Sequence, residues 1–232
     1  VNVNRNATLK PFLKSRAPAE PPAFNRRFML FCRAVVRPIG RHAVLKMRSY
    51  GTENVPTDGP LIFAGNHASL LDGPLVVLES PRIVHCLTKV ELFGGKLGNF
   101  LLRVGQIPID RGRPDRTALH ASLAELQSGG AIGMFPEGTR GSGELESVHD
   151  GVAWLAVRSG AKVLPVACIG TAAALPKGAK FPKRVPVSVV FGKPFEITMP
   201  DNPRSRSALK VVSEDIRVHL VEHLAAARVN HG

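Results

Sequence analysis

The chain has 232 residues, 44% of them apolar, enough for one compact domain with a sizeable core. Its net charge of +13 is uneven: residues 1–50 hold eleven Lys or Arg against one acid, Glu20, whereas residues 51–232 hold twenty against seventeen. Three isolated cysteines, Cys32, Cys86 and Cys168, exclude a disulfide framework and read as reduced core thiols. No apolar run reaches the ~18–20 residues of a membrane-spanning helix.

Residues 1–23 are polar, basic and Pro-containing, and are expected to form a flexible basic arm. Their start is interrupted by Arg, Lys and Asn and does not read as a secretory leader, so a cytoplasmic protein, soluble or peripheral, is expected. Residues 24–48 read as a pair of amphipathic helices. On a helical wheel Phe24, Phe28, Phe31, Val35 and Ile39 share one face, and Arg26, Arg33 and Arg37 lie roughly opposite. Pro38 is expected to end the first helix and start a second that reaches about Lys46.

From residue 49 to 232 short apolar runs alternate with helical stretches. Strands are expected at 60–65, 82–88, 105–110, 131–135, 162–170 and 185–192. Helices are expected at 70–78, 96–103, 115–128, 148–159 and 203–227. This alternation predicts a single α/β domain, a mostly parallel sheet flanked by helices. Ligands of such sheets sit beyond the carboxyl ends of the strands, where His67, Arg111 and Glu137 fall.

Four segments carry candidate chemistry. In "AGNHASLLDGP" (64–74), His67 and Asp72 can meet only if His67 lies in the loop and Asp72 in the first helical turn. Ser69 and Asp72 then form a capping box. The spacing alone allows two readings: Asp72 simply starts a helix, or it orients His67 to take a proton from a bound hydroxyl. In "VGQIPIDRG" (104–112), Arg111 is either a surface residue paired with Asp110 or Asp115, or a bidentate anion holder. In "FPEGTR" (135–140), Gly138 permits a tight turn that offers Glu137 and Arg140 at the same edge. In "VLPVACIG" (163–170), a Pro within an apolar strand marks an edge or a bulge. There is no serine elbow, no phosphate-binding Gly-rich loop and no zinc-ligand spacing, so no metal or redox cofactor is expected.

In this order the four segments resemble the glycerolipid acyltransferase family that includes the bacterial 1-acylglycerol-3-phosphate acyltransferases. The blocks are N-H-x-x-x-x-D at Asn66, His67 and Asp72, G-x-[IV]-[FP]-[IV]-x-R at Gly105 to Arg111, an intact F-P-E-G-T-R at 135–140, and the proline-bearing strand at Val163 to Val166. The resemblance implies that His67 is the general base and Asp72 its orienting partner. It implies an acceptor site of Arg111, Glu137, Gly138 and Arg140, with the arginines on the phosphate, and a supporting basic residue at Lys89. After the third block the chain departs from the family, because Glu144, Glu146 and Asp150 make "GSGELESVHDG" acidic.

The implied reaction is acyl transfer from an acyl thioester, of coenzyme A or acyl carrier protein, to lysophosphatidic acid, giving phosphatidic acid. Glycerol 3-phosphate, another lysophospholipid or another alcohol are alternative acceptors. Such an enzyme is expected at the cytoplasmic face of an anionic membrane, with Phe24, Phe28 and Phe31 in the interface and Arg26, Arg27 and Arg33 on headgroups. The other reading of that helix packs it onto its own domain. From another class comes a non-enzymatic basic protein that binds a membrane or nucleic acid, although no RNA-binding, zinc-finger or helix-turn-helix motif supports nucleic acid.

Overall fold

Both faces of the sheet are buried, because the apolar residues of each inner strand feed two different cores. The computed structural model describes residues 22–112, 114–138, 141–199, 202 and 205–232, so most of the expected arm lies outside the described residues. In chain order the elements are α1 (Arg26–Ile39), a π-helical turn (Gly40–Val44), β1 (Lys46–Tyr50), β2 (Leu61–Gly65), α2 (Asp72–Glu79), β3 (His85–Lys89), α3 (Gly95–Arg103), β4 (Ile107–Ile109), α4 (Arg116–Gln127), β5 (Ala131–Met134), α5 (Gly151–Ser159), β6 (Lys162–Ile169), α6 (Thr171–Ala174), β7 (Pro186–Phe191) and α7 (Arg206–His231). Two short 3₁₀ turns, at Thr52–Asn54 and Val90–Leu92, complete the list.

The seven strands form one sheet in the order β1-β7-β6-β2-β5-β3-β4. Five of them, β6, β2, β5, β3 and β4, run parallel. β7 pairs antiparallel with β6, and β1 runs parallel to β7. The starts of β1 and β7 therefore lie at the same edge as the ends of the other five strands. Ile62, Ala64, Ile132 and Val163 enter the core under α4, α5 and α7, with Leu126, Leu155, Ile216 and Leu220. Leu61, Phe63, Leu164 and Val189 enter the opposite core, with Leu75 and Val76 of α2. Helices on both faces explain why the strands read as nearly continuous apolar runs.

Pro165 lies in a central strand, not an edge, and the bulge part of the expectation is what the structure shows. Val166 pairs with Phe191 while Val163 bridges Phe195, so the β6–β7 register slips by one residue around Gly192. The missing N–H of Pro165 falls at this slip, and its carbonyl accepts the Gly192 N–H at 2.8 Å.

The N-terminal region differs from expectation in three ways. First, Pro38 does not end the helix; α1 runs through it to Ile39 and continues as a single π turn, closed by the Leu45 N–H on the Gly40 carbonyl. A proline near a helix end removes one hydrogen bond, and the wider turn accommodates that loss. Second, Lys46–Tyr50 is an edge strand, so a boundary at residue 48 falls inside β1. Third, the apolar stripe is divided: Phe24 and Phe28 pack on the domain together with Arg33, whereas Phe31, Val35 and Ile39 are exposed. The Arg33 guanidinium donates to the Ser80 and Arg82 carbonyls. Arg37 and Arg41 reach the fully buried carboxylate of Glu79. Phe24 meets the His85 ring, and Phe28 meets Phe100 with Arg103 over its face. Arg26, Arg27, Phe31, Val35 and Ile39 are left exposed.

Candidate active site

His67 lies two residues beyond β2, in a loop pinned on three sides. Before it, the Asn66 side chain accepts the Cys168 N–H at 2.8 Å and donates to the Cys168 carbonyl at 3.0 Å, tying the exit of β2 to β6. At His67 itself the backbone N–H donates to Glu137 Oε1 at 2.8 Å, and its carbonyl accepts the Gly141 N–H at 3.1 Å. After it comes Asp72, which is 0% exposed.

Asp72 Oδ2 accepts from three donors: His67 Nδ1 at 2.9 Å, the Ala68 N–H at 2.9 Å and the Ser69 N–H at 2.7 Å. With two amide N–H groups also donating to it, Oδ2 is the acceptor and Nδ1 the donor, which leaves Nε2 as the ring's other site for a proton. His67 is 7% exposed, and its ring stacks on Phe135 at 4.6 Å between centroids. Only half of the capping box forms. Asp72 reaches back to the Ser69 N–H, but the Ser69 hydroxyl donates to the Leu175 carbonyl at 3.0 Å and accepts the Leu71 N–H at 3.4 Å, not that of Asp72. The helix start and the His–Asp contact are thus made by the same carboxylate.

Glu137 leaves the neighbouring strand β5 and spends its carboxylate on this loop. Burial pushes its pKa above the ordinary carboxylate value, while hydrogen bonds from the His67 and Gly143 amides pull it back. Gly138 makes the turn with φ +71°, and a Cβ there would stand 2.5 Å from the His149 ring, so the position requires glycine. Arg140, expected on the acceptor phosphate, lies outside the described residues.

Lys89 and Arg111 stand at the same edge, where β3 and β4 end. Lys89 ends β3, is half exposed and pairs with Glu91 at 2.9 Å. Arg111 follows β4 in a turn whose Asp110 N–H is held by Asp115, the N-cap of α4. β4 stands three strand positions from β2, about 14 Å at the usual spacing. Gly105, first residue of the second block, has φ +76°, and a Cβ there would stand 2.5 Å from the buried ring of His85.

The acidic segment after the third block is engaged with α7. Glu144 pairs with Arg228 at 2.6 Å, and Asp150 accepts from the Ser213 hydroxyl at 2.9 Å. Among the described residues no group of three or more His, Cys, Asp or Glu could hold a metal ion. The cavity of about 390 Å³ that includes Arg33, Arg82, His85 and Glu125 opens at the start of β3, the opposite edge from His67. Sequence reasoning assigned no part to Asn66 beyond its place in the motif; its side chain is the clamp between β2 and β6.

A buried His–Asp pair at the ends of parallel strands, beside which the Ser69 hydroxyl is committed to the Leu175 carbonyl, suits transfer to a hydroxyl that is itself the attacking group. A family model described as Acyltransferase matches residues 46–169, and the chain belongs to that acyltransferase family. That decides for an enzyme over the non-enzymatic binding module.

The chain is 26% identical over 178 residues to the 1-acyl-sn-glycerol-3-phosphate acyltransferase of Bacillus subtilis, covering 76% of this chain and 87% of that protein. It is 28% identical over 162 residues to the chloroplastic 1-acyl-sn-glycerol-3-phosphate acyltransferase LPAT1 of Arabidopsis thaliana, covering 68% of this chain but only 45% of the plant protein. Among solved structures it resembles the 1-acyl-sn-glycerophosphate acyltransferase PlsC of Thermotoga maritima, with a TM-score of 0.66 and 26% identity over 94% of this chain and 87% of that one.

Proposed function

We propose that this acyltransferase moves an acyl chain from a thioester, of coenzyme A or acyl carrier protein, to the free hydroxyl of lysophosphatidic acid, forming phosphatidic acid at the cytoplasmic face of a membrane. The observation that carries the reading is the 2.9 Å contact of His67 Nδ1 with buried Asp72. The relatives in Bacillus subtilis and Arabidopsis thaliana, both 1-acyl-sn-glycerol-3-phosphate acyltransferases, support the choice of acceptor.

His67 Nε2 takes the hydroxyl proton as the acceptor oxygen attacks the thioester carbonyl, and the new C–O bond gives a tetrahedral oxyanion. As that oxyanion collapses, the C–S bond breaks and the thiolate leaves with the proton from Nε2. A thioester is already activated, so no covalent enzyme intermediate is needed. General-base help of this kind supplies ~10²–10⁴-fold. Asp72 holds the ring and stabilises the imidazolium that forms. Arg111 and Arg140 hold the phosphate, with Glu137 and Gly138 setting the loop beside them and Lys89 adding positive charge.

No helix among the described residues is long and apolar enough to cross a membrane. The exposed stripe of α1, with Phe31 65% and Ile39 53% exposed, supports contact with a bilayer surface. Arg26 and Arg27 remain available to anionic headgroups, whereas Arg33 is committed to the protein.

The test is thiol release from palmitoyl- or oleoyl-coenzyme A with and without lysophosphatidic acid, for the parent chain and His67→Ala. Release that depends on the acceptor and is lost in a folded His67→Ala supports both reaction and base. Release with glycerol 3-phosphate but not with lysophosphatidic acid would move the acceptor, and undiminished release from His67→Ala would remove the base.

A further inference from the structure

The connection between α6 and β7 is the most basic uninterrupted stretch in the described chain. Residues 176–184, "PKGAKFPKR", hold Lys177, Lys180, Lys183 and Arg184, and no Asp or Glu occurs between Asp150 and Glu196. Phe181 lies among these cations and is 82% exposed. Leaving an aromatic ring in water forgoes the burial that normally claims it, so an exposed Phe ringed by cations calls for a partner.

The place of this loop in the fold says which partner. β1 and β7 run against the other five strands, so the loop opens at the edge where β2 delivers His67. At one end it touches the catalytic loop, because the Leu175 carbonyl accepts the Ser69 hydroxyl. At the other it joins the end of the α1 stripe: Arg184 donates to the His42 carbonyl at 3.0 Å within the π turn, and the Lys46 N–H donates to the Val185 carbonyl at 3.2 Å. Ile39 and Val44, both exposed, adjoin this junction.

We propose that residues 176–184 form a second contact with an anionic lipid bilayer. Phe181 enters the boundary between headgroups and acyl chains, and Lys177, Lys180 and Lys183 meet the lipid phosphates. With α1 alone the chain could rotate about the helix axis on the surface. The loop adds a second line of contact and turns the edge that carries His67 toward the lipid, where a lysophospholipid resides. The inference rests on the membrane reading under Proposed function. Continuity with the α1 stripe favours lipid over an acidic protein as the partner.

The experiment is partition of the full chain onto vesicles of phosphatidylcholine alone and vesicles that also contain phosphatidylglycerol. Variants are Lys177→Gln/Lys180→Gln/Lys183→Gln, Phe31→Ser/Ile39→Ser, and Phe181→Trp in a Trp154→Phe background, each checked for its fold by circular dichroism. The triple lysine variant is expected to lose about a hundredfold in partition onto the anionic vesicles and little onto the neutral ones. The tryptophan introduced by Phe181→Trp should be quenched by lipids with brominated chains. If the parent fails to bind either vesicle, the membrane reading falls and this inference with it. If the parent binds and Phe31→Ser/Ile39→Ser weakens it, an unchanged triple variant and an unquenched fluorophore overturn the inference alone. A triple variant that binds vesicles like the parent but slows transfer from acyl carrier protein, and not from coenzyme A, overturns it in favour of an acidic protein partner.

Discussion

The side chain of Glu137 holds the backbone of His67: its carboxylate accepts the His67 N–H at 2.8 Å, and the His67 carbonyl in turn accepts the Gly141 N–H at 3.1 Å. The exits of β2 and β5 are therefore stitched together at the base, and Glu137 acts as a fixer of the loop. Glu137→Gln keeps an amide oxygen for the same bond, whereas Glu137→Ala leaves the His67 N–H without it. We expect Glu137→Gln to retain most of its turnover and Glu137→Ala to lose about 10–100-fold in kcat, the scale set by misplacing a reacting group by about 1 Å. Steady-state kinetics for both variants decides, and equal losses would contradict a role in positioning.

Asp72 carries three hydrogen bonds on one oxygen. In Asp72→Asn the amide oxygen can still accept from the Ala68 and Ser69 amides, so the loop is expected to remain in place. The charge that stabilises a protonated His67 is lost. Turnover should fall by roughly 10²–10⁴-fold while the melting temperature shifts little. The paired measurement is kcat with a thermal melt.

Asn66 predicts a change in stability more than in chemistry. Its two hydrogen bonds satisfy the buried N–H and carbonyl of Cys168. Asn66→Ala strands both groups, at roughly 1–3 kcal/mol each. Urea denaturation should show that loss with an unchanged m-value.

The pH dependence of stability should follow two buried histidines. Burial holds His85 and His223 below the ordinary imidazole value, partly countered by hydrogen bonds to the Gly105 and Val190 carbonyls. As pH falls through about 6.5 the unfolded chain takes up protons that the folded chain refuses, so stability is present above that pH and is lost below it. Glu125 and Glu137, raised by burial, act with the opposite sign. The measurement is therefore the difference between parent and His223→Gln in melting temperature from about pH 7.5 to 5.5. The variant should lose less on acidification.

The α/β class and the inner strands were legible because strands buried on both faces read as apolar runs of four to eight residues. The edge strand β1 was not, since in "KMRSY" only Met47 is buried and the segment shows no period of its own. Helical periodicity located both faces of α1 but not which residues of each turn inward. What decides that is Glu79, whose burial needs the arginines, and nothing local marks Glu79 as buried. A spacing of five across a loop–helix boundary allowed His67 and Asp72 to meet, and the resemblance to the acyltransferase family selected that reading. The use of Glu137 and Asn66 as backbone ties had no such signal, because their partners lie 70 and 102 positions away.

The carboxylate of Glu79, fully buried against Arg37 and Arg41, makes the N-terminal helix inseparable from the domain behind it. Cutting that helix away would abandon a charge in the interior, and stranding one partner of such a pair is far more harmful than never having built it. The helix is thus a mounting bracket and not a leash. A displacement of the helix is therefore felt, through Glu79, by the sheet that carries His67.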